Sequence, residues 1–237
     1  MLQVDELSVS FGGLKALQAA TLDVAAGRIT GLIGPNGAGK TTMFNAITGL
    51  TRPDRGTVRL DGTDVTRLGA RRRARLGIGR TFQRLEVFGS LSAIDNVLVG
   101  LEANGLKRRE ARASASDLLS RVGIADAACR RADVLPTGTA RLLELARALA
   151  ARPRVLLLDE TFSGLDDSES SRLGGVLEDL AAAGMAILLV EHDMEMVMRL
   201  CARIHVLEFG RIIASGTTDE IRRDPQVQAA YLGTEAA

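Results

Sequence analysis

The chain has 237 residues, enough for one large domain or two small ones, and 46% of them are hydrophobic and 25% charged. This composition is typical of a globular protein and excludes a disordered chain. Thirty basic residues face 29 acidic ones, giving a net charge of +1, and aromatic residues make up only 3%. We therefore expect no nucleic-acid partner, because such proteins need a basic surface or aromatic stacking platforms.

Neither a membrane span nor a disulfide framework is expected from the sequence. Cys129 and Cys201 stand alone, which fits a reducing compartment. The first residues include Asp5 and Glu6 and no basic cluster, so we expect no signal peptide. The longest nearly uncharged apolar run, residues 181–190, is about half of what a membrane-spanning helix needs. Any membrane association is therefore expected to come through a partner.

The predicted elements start with short strands within residues 2–24, which turn at Gly12 and Gly13. Further strands are predicted over residues 28–33, 55–60, 155–158, 187–190, 204–207 and 211–214. Helices are predicted over residues 41–49, 66–80, 168–183 and 194–201, and a capping box precedes a last short helix at Thr217 and Glu220. Apolar strands that alternate with helices indicate a parallel sheet covered on both faces. Residues 85–150 are largely helical in pattern, and we expect them to form a helical subdomain inserted between core strands.

Two groups of polar residues are expected to be structural. The first is a basic cluster made of Arg71, Arg72, Arg73 and Arg75. It could mark an anion-binding or nucleic-acid patch, but a solvated helix face is the simpler interpretation. The second is His205, which lies inside a predicted apolar strand and matches no functional pattern.

A glycine-rich segment is the strongest functional signal in the sequence. Residues 34–41 match the pattern G-x-x-x-x-G-K-[ST] between a predicted strand and a predicted helix, which is the context of a phosphate-binding loop. Its glycines let backbone N–H groups surround phosphates, Lys40 would reach the β- and γ-phosphates, and the Thr41 hydroxyl would bind Mg²⁺. The N-terminus of the following helix adds a favourable partial charge.

A second segment with a phosphate-related pattern is the apolar strand of residues 155–158, which ends in Asp159 and Glu160. An Asp at the carboxyl end of a central strand can hold Mg²⁺, and the Glu that follows can polarise an attacking water. Alone, such a run is often a strand entering an ordinary turn. Beside a phosphate-binding loop it indicates nucleotide hydrolysis.

Together with these segments, several others make the chain resemble the ABC-type ATPases over essentially its whole length. They are Phe11 before Gly12-Gly13, Arg80-Thr81-Phe82-Gln83, residues 135–149, Ser163-Gly164-Leu165-Asp166 and Glu191-His192-Asp193. In isolation Phe11 and His192 would more often be structural, but the order and spacing of the whole set match the family. The resemblance implies an α/β fold, namely a P-loop NTPase with a RecA-like core, an N-terminal antiparallel β subdomain and an inserted helical subdomain. All of these would belong to one domain spanning residues 1–237.

The resemblance also implies a role for each matching residue. Phe11 stacks on adenine, Gln83 meets the metal site and the membrane partner, and His192 contacts the γ-phosphate. The implied catalytic residues are Glu160, His192 and Gln83, and the implied metal ligands are Thr41, Gln83 and Asp159. The implied contacts with ATP are Phe11, Gly34, Pro35, Asn36, Gly37, Ala38, Gly39, Lys40, Thr41, Thr42, Pro136, Thr137, Gly138, Thr139 and Asp166. ATP and Mg²⁺ are the implied ligands.

One segment departs from the family pattern, which is usually Leu-Ser-Gly-Gly-Gln. Pro136 stands at the serine position and Thr139 at the glutamine position, whereas Gly138 and the helix that follows are kept. Pro136 lacks the hydroxyl and the N–H that would face a γ-phosphate. In the family this segment completes the ATP site of the partner subunit, so the partner's site is expected to be the weaker one in an asymmetric dimer.

Within the family, residues 11–17, 79–83, 191–194 and 230–233 look like those of the branched-chain amino acid importer ATPases. The lipopolysaccharide exporter ATPase shares much of this pattern, so an exporter is an alternative. The resemblance implies a second ABC ATPase subunit (homodimer or heterodimer), integral membrane permease subunits and, indirectly, a periplasmic or extracellular solute-binding protein. The chain would then lie peripherally on the cytoplasmic face of the cell membrane.

One other function stays open on the sequence, and a further one is disfavoured. Pro136 and Thr139 are compatible with a regulatory nucleotide-binding subunit of low activity. An ABC ATPase acting on DNA or ribosomes would have long coiled coils or two fused ATPase domains, and this sequence has neither pattern.

Overall fold

Two sheets are formed by the residues that the computed structural model describes, which are residues 1–81 and 86–232. The first is antiparallel and consists of β1 (Leu2–Phe11), β2 (Leu14–Val24), β4 (Arg55–Leu60) and β5 (Thr63–Asp64), in the order β2-β1-β4-β5. The second consists of β3 (Ile29–Ile33), β6 (Ile78–Arg80), β7 (Val155–Asp159), β8 (Ala186–Val190), β9 (Arg203–Glu208) and β10 (Arg211–Gly216), in the order β10-β9-β3-β8-β7-β6. Its strands are parallel except for β10, which is antiparallel to β9.

The helices of this part of the chain are α1 (Lys40–Thr48), α2 (Ala70–Arg75), α3 (Ala93–Ala103), α4 (Arg108–Arg121), α5 (Thr137–Ala150), α6 (Asp167–Ala182), α7 (Met194–Leu200), α8 (Thr218–Arg223) and α9 (Pro225–Leu232). Across residues 1–81 and 86–232, no helix combines the length and the apolar character that a membrane crossing needs. The predicted strands after residue 24, and the helices at 41–49, 168–183 and 194–201, are confirmed to within two residues at each end. The capping box of Thr217 and Glu220 begins α8, as predicted.

The parallel sheet lies between two apolar layers. Every residue of β3, β7 and β8 is buried, as expected for strands covered on both faces. Because side chains alternate along a strand, Leu156 and Leu158 of β7 pack in the layer formed by helices α3 to α7. Val155 and Leu157 pack in the other layer, with residues of β1, β2 and α1. Helix α1 is thereby held against both sheets.

The helix predicted over residues 66–80 is wrong in its extent. Only Ala70–Arg75 is helical, and Ile78–Arg80 is strand β6. Strand β6 pairs in parallel with β7, from Ile78 opposite Val155 to Arg80 opposite Leu157. A local pattern of basic and apolar residues could not predict this strand, because a partner 77 positions further along the chain stabilises it.

The basic cluster on α2 was expected to be exposed to solvent. This prediction is correct for three of its arginines and wrong for Arg73. Arg71, Arg72 and Arg75 are exposed, whereas Arg73 is only 1% exposed. Its guanidinium donates to the carbonyls of Ala46 and Ile47 at 2.6 and 2.7 Å. These carbonyls lie in the last turn of α1, where a helix leaves acceptors unsatisfied and favours a positive charge.

Two further carbonyls complete the surroundings of Arg73. Its Nε donates to Leu68 O at 2.8 Å, and its Nη2 donates to Thr66 O at 2.7 Å. Burial lowers the pKa of Arg73, but a guanidinium still keeps its charge at neutral pH. Arg73 therefore fixes the C-terminal end of the helix whose N-terminal end is the predicted phosphate-binding loop.

The buried contacts of Arg73 predict a large stability difference between neighbouring arginines. We expect Arg73→Met to lower the free energy of unfolding by about 3 kcal/mol, because buried carbonyls would lose charged donors. Arg72→Met, on the exposed side of the same helix, is the matched control and should change it by less than about 0.5 kcal/mol. Urea denaturation of the two variants measures this difference, and equal losses would contradict the capping role of Arg73.

Candidate functional site

The order of the parallel strands brings three predicted segments to one edge of the sheet. The segment of residues 34–39 follows β3, Glu160 follows β7, and His192 follows β8 by one residue. Strand β8 pairs with β3 on one side and with β7 on the other. In open parallel sheets, ligands bind at the carboxyl ends of such strands. Side chains from distant parts of the chain are thus neighbours here.

The loop of residues 34–39 is held closely against its surroundings. At Gly39 the backbone has a φ of +111°, and a Cβ would lie 2.6 Å from Ala16 O. Only glycine fits this position without displacing backbone. Lys40 begins α1, is buried, and its Nζ donates to Gly34 O at 2.6 Å and to Pro35 O at 3.1 Å. Burial lowers the pKa of Lys40, and the nearby carboxylates oppose that shift.

A cavity of about 660 Å³ opens on this loop. Its lining includes eight of the fifteen residues expected to contact ATP, namely Phe11, Asn36, Gly37, Ala38, Gly39, Lys40, Thr41 and Thr42, and it also includes the expected catalytic residue Glu160. Phe11, at the end of β1, is 52% exposed. It is therefore not a core residue, which is the more common role of a phenylalanine. Sequence reasoning missed Leu14, Gln18 and Phe209, which also line this cavity.

Asp159, the expected metal ligand, is paired with an arginine that sequence reasoning did not assign. Asp159 Oδ2 accepts from Arg80 Nη2 at 2.9 Å, and both side chains are buried. Arg80 Nη1 also donates to Asn45 Oδ1 at 2.5 Å, and its guanidinium lies 5.4 Å from the centre of the Phe44 ring. Burial raises the pKa of Asp159, and Arg80 opposes that shift.

His192, expected at the γ-phosphate, and Glu160, expected at the attacking water, are hydrogen-bonded to each other. His192 Nε2 donates to Glu160 Oε1 at 2.8 Å. Glu160 has a φ of +49°, a conformation that is rare outside glycine and that clusters at functional sites. Its backbone N–H donates to Val190 O at 2.9 Å, so the end of β8 maintains this conformation.

A second carboxylate of this region, Glu191, is buried beside the pair. Its Oε1 accepts from Phe162 N at 2.9 Å, which ties the end of β8 to the segment after Glu160. Burial raises the pKa of Glu191 to about 7, while the N–H groups of Phe162 and His192 partly oppose this. The sequence assigns no role to Glu191, because the burial of this residue depends on contacts across the sheet.

Another group of expected ATP contacts does not reach this cavity. Pro136 is the residue before α5, and Pro136 and Thr137 are exposed. Within the described chain, none of residues 135–139 lines the cavity around Lys40. Gly138 is buried, and a Cβ there would overlap the Glu169 carboxylate.

Asp166 uses its carboxylate as a helix cap. Its Oδ1 accepts from Glu169 N at 2.8 Å, and Glu169 Oε2 accepts from Asp166 N at 3.2 Å, which is a capping box at the start of α6. The Glu169 N–H holds the pKa of Asp166 below its ordinary value. Gln83, expected at the metal, lies outside the described residues.

Comparison with known proteins decides the family. A family model described as "ABC transporter" matches residues 17–163, and one described as "Branched-chain amino acid ATP-binding cassette transporter" matches residues 211–237. The chain belongs to the ABC transporter family. As an ABC ATPase it binds and hydrolyses ATP.

Curated relatives of this ABC ATPase are similar over nearly their whole length. BraF of Pseudomonas aeruginosa and LivG of Escherichia coli, both high-affinity branched-chain amino acid transport ATP-binding proteins, are 39% identical to it, over 98% of each chain. LptB of Acidithiobacillus ferridurans, a lipopolysaccharide export system ATP-binding protein, is 37% identical over 99% of this chain and 98% of its own.

Solved structures of ABC ATPases share the fold. A nucleotide-free ATP-binding cassette from an ABC transporter has a TM-score of 0.89 and 27% identity, over 98% of both chains. A dimeric cassette in a post-hydrolysis state, bound to ADP and Pi, has a TM-score of 0.82 and 25% identity, over 92% of this chain and 99% of its own. The predicted fold class is thereby confirmed.

The burial of Glu191 predicts a pH-dependent stability. A carboxyl whose folded pKa is raised stabilises the fold fully below its unfolded pKa of about 4.5, and that stabilisation is lost as the pH rises through about 7. Glu191→Gln keeps an acceptor for Phe162 N and cannot ionise. We therefore expect this variant to gain about 2 kcal/mol in free energy of unfolding, relative to the parent, between pH 5 and pH 8.

Urea denaturation at several pH values measures this gain. The control is Glu195→Gln, which removes an exposed carboxylate from the same neighbourhood. A difference between Glu191→Gln and the parent that stays constant with pH would contradict the burial of an ionisable Glu191.

Proposed function

We propose that this chain is the ATP-hydrolysing subunit of an importer for branched-chain or related amino acids. ATP hydrolysis is supported by one observation. Four residues lie together at the carboxyl ends of β3, β7 and β8, namely Lys40, Asp159, Glu160 and His192. The solute class rests on the 39% identity to BraF and LivG and on the family match over residues 211–237.

We infer the following roles for the residues around the phosphates. The N–H groups of residues 34–39 and the N-terminus of α1 bind the phosphate oxygens, and Lys40 neutralises their charge. Glu160, as a carboxylate, accepts a hydrogen bond from the attacking water and increases its nucleophilicity. His192 orients the Glu160 carboxylate, to which it is hydrogen-bonded, and would contact the γ-phosphate. Phe11 and residues of β2 line the same cavity and would face the part of ATP away from the phosphates.

The residues present fit Mg²⁺. Thr41 lines the cavity, Asp159 is buried beside it, and a hydroxyl and a carboxylate are the hard oxygen donors that this ion takes. Among the described residues, no group of three or more His, Cys, Asp or Glu is arranged to hold a metal by itself. Phosphate oxygens and water would therefore complete the ligand set, with Gln83 as a further proposed ligand. Bound Mg²⁺ would neutralise charge on the β- and γ-phosphates.

We place the remaining residues in a dimer. Pro136, Thr137, Gly138 and Thr139 stand at the N-terminal end of α5, outside the cavity of their own chain. In our proposal they contact the ATP of a second ABC ATPase subunit, and Asp166 lies at the same interface. The dimeric cassette with ADP and Pi supports this assembly. The helices between residues 93 and 150 act as the inserted subdomain of a single domain, and permease subunits bind this chain at the cytoplasmic face of the membrane.

Glu160→Gln tests the hydrolytic role. We expect ATP turnover to fall by about 100-fold or more, because a neutral amide cannot accept a proton from water, while ATP binding stays within a few-fold of the parent. Glu195→Gln is the control, since Glu195 is exposed and does not line the Lys40 cavity. Undiminished turnover in Glu160→Gln would contradict the role of Glu160.

The same variants separate the alternatives. In cells that depend on this chain, Glu160→Gln should abolish leucine uptake and leave lipopolysaccharide export intact, and the reverse would favour an exporter. Undiminished turnover of the assembled transporter after Lys40→Ala would favour a regulatory subunit, an alternative that the replaced serine and glutamine of the 135–139 segment motivate.

A further inference from the structure

Two hairpin turns of the chain have the same backbone conformation but differ in the first of their two residues. Asp61-Gly62 joins β4 to β5 with φ values of +49° and +78°, and Phe209-Gly210 joins β9 to β10 with φ values of +44° and +78°. Two positive φ values in a two-residue loop define a type I′ turn, which favours Asn, Asp or Gly at its first position. Asp61 fits that preference. Phe209 does not, because a bulky side chain at positive φ is strained.

Burial does not compensate this strain. The Phe209 side chain is 78% exposed, more than any other large hydrophobic residue among those described. A single exposed ring needs no explanation by itself. An exposed phenylalanine at a positive φ stabilises the fold neither through its backbone conformation nor through packing. Backbone strain of this kind is concentrated at ligand sites.

The turn that carries Phe209 is fixed to the ATP site by hydrogen bonds. Gly210 N donates to Ala38 O at 2.8 Å, and Gln18 N donates to Gly210 O at 2.8 Å. The Gln18 side chain donates to Phe209 O at 2.8 Å. A Cβ at Gly210 would lie 2.7 Å from Ala16 O, so the turn is packed directly on β2. The position of the Phe209 backbone is thus set by β2 and by the phosphate-binding loop.

Phe209 also lines the same cavity as the phosphate-binding loop. Lys40 and Thr41 line the polar part of this cavity, and the exposed apolar side chains of Phe11, Leu14 and Phe209 line it too. A nucleoside triphosphate has the same two parts, a polyanion and a flat aromatic base, and bases stack on aromatic rings. Phe11 alone would offer one ring to a base that has two faces.

We propose that Phe209 is a second base-contacting residue, which together with Phe11 forms the pocket for the adenine of ATP. The proposal rests on ATP binding at this cavity and adds to it the residue that receives the base. The strained turn then holds its ring ready for the base before the nucleotide arrives, and the contact improves binding without taking part in hydrolysis.

Phe209→Asn tests the proposal because it should weaken ATP binding without lowering the stability of the fold. Asn suits the first position of a type I′ turn, so the thermal midpoint should stay the same or rise. The Kd for ATP should increase about 5- to 20-fold through the loss of one stacking contact, whereas the Kd for inorganic tripolyphosphate should change less than about twofold. Phe209→Trp keeps an aromatic face and should retain ATP affinity within about threefold. Asp61→Asn, at the matching turn of the other sheet, is the control and should change neither Kd.

Each other outcome is decisive. If Phe209→Asn weakens ATP and tripolyphosphate equally, the turn acts through its bond to Ala38, and Phe209 is not a base contact. If it weakens neither, Phe209 does not meet the base. If the parent chain binds ATP no more tightly than tripolyphosphate, the base pocket is refuted while the phosphate site stands. If the parent binds neither ligand, the proposed function itself fails.

Discussion

The pairing of β8 between β3 and β7 is the constraint on which the whole site depends. Val190 lies opposite Asp159 and Leu189 opposite Gly31, so the ends of the three strands are level with one another. A slip by one residue would turn every side chain of β8 to the other face and exchange its two apolar layers. The apolar packing on both sides of the sheet thus determines where the phosphate-binding loop, the carboxylates and His192 meet.

Each reactive group of the site has a partner within its own chain. Lys40 donates to loop carbonyls, Asp159 accepts from Arg80, and Glu160 accepts from His192. These contacts offset the cost of burying charged groups. In the proposed function, ATP and Mg²⁺ bind to the same groups, so binding exchanges these partners. A ligand shifts a conformational equilibrium only through such differential contacts.

The parts of the site that lie in one continuous segment could be predicted from the sequence. The loop before Lys40 and the strand ending in Asp159 and Glu160 carry local patterns whose chemistry is known. Contacts between distant segments could not be predicted. Arg73 has the same local character as the exposed Arg72 and Arg75, and the pattern around Arg80 gives no sign of its partner Asp159. Only the packing of α1 and β7 against these two arginines shows that their side chains are buried. The strain at Phe209 could not be predicted either, because it depends on the exact length of the turn between β9 and β10.

The central claim is that Glu160 and His192, on two neighbouring strands, act as one unit on ATP. A double-mutant cycle of ATP turnover with Glu160→Gln and His192→Ala tests this claim most directly. The residual turnover of Lys40→Ala is subtracted from each value as the background. Residues that act as a unit are strongly non-additive. We expect the double variant to lose no more turnover than Glu160→Gln alone. Losses that multiply would contradict it, because they would show two groups acting independently.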